Sequence, residues 1–168
     1  MKTEFQLQKR IRIISLFFIT SLVISGVTAF PLQTELTLIS HLFESSREPI
    51  VLWIAEVTEA LDYMNTQYSF LSYGTDWLAF AHIIISIFFI GVYKDPVRNL
   101  WITQTGIIAC VLIIPLALIA GYARNIPFVW QLIDISFGVF GVIPLIFIHK
   151  YTQQLISNKF IIHQTQTC

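Results

Sequence analysis

The sequence predicts an all-α, polytopic membrane protein: four transmembrane helices, with an extracytoplasmic amphipathic helix between the first and the second. Three observations carry this. Of 168 residues, 55% are hydrophobic and only 12% charged, against roughly 25% charged residues in a soluble domain. The apolar residues gather into four blocks that approach or reach the roughly 20 residues needed to cross about 30 Å of hydrocarbon. None of the blocks alternates with a period of two, so they read as helices rather than barrel strands. One membrane domain spanning residues 1–168 accounts for the chain, with no room for a separate soluble domain of ordinary size.

The first segment covers Ile13 to Phe30. Its basic start, apolar stretch and "VTA" at Val27 to Ala29 also fit a signal peptide cleaved after Ala29, and both readings stay open. Residues 31–75 form a connection too long to be structureless in so small a protein. Within it, Ser45 and Glu48 have capping-box spacing and Pro49 suits a first helical turn. Ile50, Ile54, Val57, Leu61 and Met64 recur at helical spacing, and Glu56, Glu59 and Asp62 fall away from that stripe. This is an amphipathic helix on the outer membrane surface, and the three acids read as its solvated face rather than a cation site.

The second segment, Trp77 to Tyr93, is preceded by "YGTD", where Asp76 has the character of an N-cap. Asp95-Pro96 in "KDPVRN" makes a tight turn into the third segment, Leu100 to Ile119. Pro115 there removes a backbone donor and frees the carbonyl of Val111. The fourth segment runs from Phe128 to Ile148. Tyr and Trp residues near the segment ends, such as Tyr73, Trp77, Tyr93, Trp101 and Trp130, fit the aromatic belts of a bilayer.

Basic residues set the expected orientation. Lys2, Lys9, Arg10 and Arg12 precede the first segment, Lys94 and Arg98 lie between the second and third, and Lys150 and Lys159 follow the fourth. The other side receives Arg47 and Arg124. By the positive-inside rule both termini are cytoplasmic.

Composition also excludes functions. A net charge of zero, with no basic stripe, gives no footprint for nucleic acid. The two cysteines, Cys110 and Cys168, cannot build a disulfide framework or a paired Cys-x-x-Cys site within one chain, and Cys168 lacks the three residues a prenylation signal needs after it. Neither a metal site nor a cofactor is expected, and no catalytic constellation stands out.

Helical phase places the remaining polar and small residues. On the second segment Asp76, Ala79, His82 and Ser86 share an arc of roughly 120°; on the third, Thr103, Gly106, Cys110, Ala117 and Gly121 share about 60°; on the fourth, Gln131, Asp134, Gly138, Gly141 and His149 share roughly 80°. Small residues let helices approach in lipid, so these faces are expected to meet in the bundle interior. His82 and Asp134 each lie roughly 9 Å inside the outer edge by the helical rise. They are the candidate intramembrane pair, either functional or a structural pin, with Asp76, Arg124 and Gln131 around them.

The stretches "YGTDWLAFAH", "KDPVRN" and "LIDISFGVFGVIPL" resemble a group of small bacterial four-helix membrane proteins with no assigned activity. That resemblance covers roughly residues 73–147 and implies a bacterial inner-membrane setting, with no catalytic residues to carry over. "GVYKDPVRN" also partly resembles the loop after the second helix of major facilitator transporters, from which Pro96 and Asn99 depart. The functional expectation is an accessory, scaffolding or assembly component that binds a larger membrane partner or itself. The alternative is a small proton- or ion-coupled transporter, a homo-oligomer built around His82 and Asp134.

Overall fold

A computed structural model describes residues 3–42 and 48–166. Six helices are present: α1 (Glu4–Ala29), α2 (Leu32–Leu42), α3 (Pro49–Gln67), α4 (Ser69–Lys94), α5 (Leu100–Ala123) and α6 (Phe128–Gln166). No strand occurs among the described residues. Four helices are long and apolar enough to cross a membrane: α1, α4, α5, and α6 over Phe128–Asn158. The chain therefore reads as a multi-pass membrane protein.

Every spanning helix outruns its apolar block at one end or both. Hydropathy marks where a helix leaves hydrocarbon, whereas the helix itself stops only where its backbone loses partners or packing. At the start of α1, Leu7 and Ile11 are buried one turn apart, so the charged turn carrying Lys9 and Arg10 is held by its apolar side. Past Ile148, α6 continues because Thr152 and Leu155 repeat the buried spacing of Leu145 and Ile148. The segment expected to form the amphipathic helix is helical as α3, but its first residue is Pro49, and Glu48 precedes it in extended conformation without a side-chain cap. Ser45, the other half of the expected capping box, lies outside the described residues.

Helix α2 lies in the connection that the sequence left without an assigned element, although Leu32, Leu36 and Ile39 have helical spacing. The start of α4 differs too. It begins at Ser69, so Gly74, Thr75 and Asp76 lie inside the helix and Asp76 caps nothing. Only Tyr68 separates α3 from α4, and the Ser72 hydroxyl donates to the Asn65 side-chain oxygen across that break.

Two compact units divide the chain. The first comprises residues 1–20 and 86–168. Its interior combines Leu7, Ile11 and Ser15 of α1, Phe89 and Val92 of α4, Ile102 and Thr103 of α5, and Leu145, Ile148, Thr152 and Leu155 of α6. Phe18 meets Phe89 edge to face at 4.7 Å. Along α5 and α6 the small residues sit against each other: a Cβ added to Gly138 would lie 2.6 Å from the carbonyl oxygen of Cys110, and one on Gly141 would lie 3.1 Å from its Sγ. Such closeness exists only because neither position carries a side chain.

Both hairpins of this unit are built by named polar groups. Between α4 and α5, Asn99 Nδ2 donates to the carbonyls of Gly91 (3.0 Å) and Asp95 (2.9 Å). Asp95 Oδ1 accepts from the Arg98 N–H at 3.0 Å. Between α5 and α6, Asn125 adopts φ 55°, the Asn125 N–H donates to Tyr122, and the Ile126 N–H donates to Gly121. That pair of bonds is a Schellman closure, and asparagine tolerates the left-handed position it requires.

The second unit is residues 21–85. Here α2 packs on α3, and α1 crosses α4 at Gly26. A Cβ on Gly26 would stand 2.9 Å from both the Ala79 carbonyl and Ile83, and 3.2 Å from the His82 Cβ.

Candidate functional site

Ionisable and amide groups inside spanning helices need either partners or a function, because hydrocarbon offers neither water nor counterions. The structure separates the predicted candidates on that criterion. Gln131 is spoken for. It is 8% exposed, its Nε2 donates to the Ile126 carbonyl at 2.8 Å, and its aliphatic part fills the space above Gly121. It ties the first turn of α6 back to the α5–α6 hairpin.

Asp134 lies one turn further along α6 and is half-buried. Within its own unit no described side chain hydrogen-bonds or ion-pairs with it, and Arg124 at the exposed end of α5 makes no ion pair to it. Arg124 donates instead through its backbone N–H to Ala120. Gly138, one turn below Asp134, is occupied in packing against Cys110 and Ile113.

His82 belongs to the second unit. Its Nδ1 lies 2.9 Å from the Leu78 carbonyl. Since a carbonyl only accepts, Nδ1 carries the hydrogen and a neutral ring presents Nε2 as an acceptor. Ala79 and the base of His82 are covered by Gly26 of α1, a contact outside the three faces expected from helical phase. Its signal was present as Ser21, Ser25, Gly26 and Ala29, small residues near one-turn spacing.

Asp76 occupies a different setting. A cleft of about 290 Å³ in the second unit is lined by Phe30, Tyr73, Asp76, Trp77 and Phe80. Four of these come from α4 at i, i+3, i+4 and i+7, which places them on one face. Tyr73 and Trp77 stand at 87° with centroids 5.9 Å apart. Trp77 and Phe80 stand at 89° and 6.1 Å. Within this unit the Asp76 carboxylate makes no hydrogen bond or ion pair with a described residue.

Elsewhere, Ser15 Oγ, Thr103 Oγ1 and His149 Nδ1 of the first unit are buried without a hydrogen-bond partner. No group of three or more His, Cys, Asp or Glu side chains among the described residues is arranged to hold a metal ion. No protein-family model, curated protein or solved structure matches the chain.

Proposed function

We propose that this chain is an accessory or assembly component of a complex in a bacterial inner membrane, engaging a larger membrane protein or further copies of itself. The observation that supports this best is the α2–α3 pair. Helix α3 keeps Ile54, Val57, Leu61 and Met64 partly covered, while Glu56, Glu59 and Asp62 are exposed. In this reading α3 lies on the extracytoplasmic surface, with both termini cytoplasmic, and offers its acidic face to a partner.

The test is purification in a gentle detergent from the native membrane, followed by native mass spectrometry. A stoichiometric partner that is lost when Glu56 and Glu59 are both replaced by lysine supports the reading. Recovery of a single species of unchanged composition for both forms overturns it.

The Asp134 carboxylate, which bonds no described residue of its unit, favours a second reading, a proton- or ion-coupled transporter working as a homo-oligomer. Here Asp134 and His82 are the intramembrane ionisable groups, with the Nε2 of His82 the group that exchanges protons. Reconstituted in vesicles, the chain should then pass protons or cations at a rate that Asp134→Asn abolishes. Equal flux through both forms removes this reading.

A further inference from the structure

The aromatic belt of a bilayer explains why Tyr73 and Trp77 sit near one end of a spanning helix. It does not explain a carboxylate set among four rings. Asp76 is neither the cap of α4 nor bonded to a described residue of its unit, so its charge lacks a structural employer there. An anionic group in an aromatic cleft faces two costs: partial loss of water, and the electron-rich ring faces around it. Both are relieved by one kind of ligand, a cation that is attracted by the carboxylate and by the ring faces together.

The geometry narrows that cation further. Tyr73, Trp77 and Phe80 stand successively at close to right angles, so the open cleft is lined by ring faces and ring edges in turn. These residues are 60%, 57% and 47% exposed, so the protein itself leaves them uncovered. A small, strongly hydrated metal ion gains little from ring faces and demands several oxygen ligands, where this cleft offers one carboxylate. An alkylated ammonium carries its charge on a soft, weakly hydrated surface and fits aromatic walls. At about 290 Å³ the cleft has room for a group much larger than one water molecule.

We infer that the cleft of Phe30, Tyr73, Asp76, Trp77 and Phe80 binds a quaternary ammonium group, with Asp76 as counter-charge and the rings as walls. The group can arrive on a free solute or on a choline-type lipid headgroup, since the chemistry recognised is the same. This site is independent of the α3 surface and of the His82 and Asp134 reading.

The experiment titrates choline onto the purified full chain in maltoside detergent, followed by saturation-transfer NMR on the ligand methyl protons. Its neutral carbon isostere, with a tert-butyl group in place of trimethylammonium, is titrated in parallel. Choline should bind saturably and about tenfold more tightly than the isostere, the range of cation–π attraction in a partly desolvated site. Asp76→Asn should weaken choline about threefold to fivefold, as loss of a partly exposed ion pair does, and leave the isostere unchanged. Trp77→Leu should weaken both, with circular dichroism verifying that each variant stays helical.

Nanodiscs distinguish the sources. Displacement of choline by choline-headgroup lipid but not by ethanolamine lipid makes the ligand lipid-borne, and retention of choline binding in both makes it a solute. Equal affinity for choline and its isostere overturns the inference, as does unchanged choline binding in folded Asp76→Asn or an absence of saturable binding.

Discussion

At the scale of single residues, the same amino acid does opposite things at two places in this chain. Gly138 faces the Cys110 carbonyl so closely that a methyl group would stand 2.6 Å from it, and a backbone oxygen cannot swing aside. Gly74 lies inside α4 with nothing within 4 Å of where its Cβ would be. Gly138→Ala should therefore lower stability by about 1–3 kcal/mol through forced separation of α5 and α6. Gly74→Ala should raise it by about 0.5–1 kcal/mol by removing backbone freedom from the unfolded chain. Thermal unfolding in detergent measures both, and a like response at the two positions would show that helix propensity, not packing, governs them. Helical phase puts Cys110 on the small-residue face of one helix and Gly138 and Gly141 on that of the next. It could not separate Gln131 from Asp134, two polar residues on one arc, because the distinction lies in the Ile126 carbonyl that Gln131 alone reaches.

Among the elements, turns were more legible than helix ends. "KDPVRN" reads as a tight hairpin from Asp95-Pro96, and the structure adds that Asn99 does most of the closing. Its amide reaches back across the turn to Gly91 and Asp95, and Gly91 lacks the side chain that would crowd it. Asn99→Ala should cost about 1–2 kcal/mol, the net worth of two hydrogen bonds, with the freed carbonyls at the end of α4 turning to water or headgroups. Unfolding by a denaturing detergent checks this, with Asn99→Asp as a companion. Aspartate keeps the shape but loses the donor, so a fully stable Asn99→Asp would mean that the two bonds contribute nothing. Helix α2 and the start of α4 are not legible in the sequence for one reason. Their residues are neither apolar enough for a span nor punctuated by caps, and what makes them helical is contact with α3 and continuity with the span behind them.

For the whole molecule, the number of spanning helices was readable from hydropathy because bilayer thickness imposes a length on each apolar block. The side on which each connection emerges follows from a different force, the retention of lysine and arginine on the cytoplasmic face. Lys9, Arg10 and Arg12 near the start of α1, Lys94 and Arg98 around the α4–α5 hairpin, and Lys150 on α6 all fall on one side if four helices alternate. Single cysteines placed in a chain carrying Cys110→Ala and Cys168→Ser test this directly. Lys9→Cys, Val97→Cys and Gln153→Cys should resist a membrane-impermeant maleimide in intact cells and react once the membrane is opened. Glu59→Cys and Arg124→Cys should react in both conditions. If Glu59→Cys and Val97→Cys label alike, an even number of crossings separates them, and α4 then does not span the bilayer.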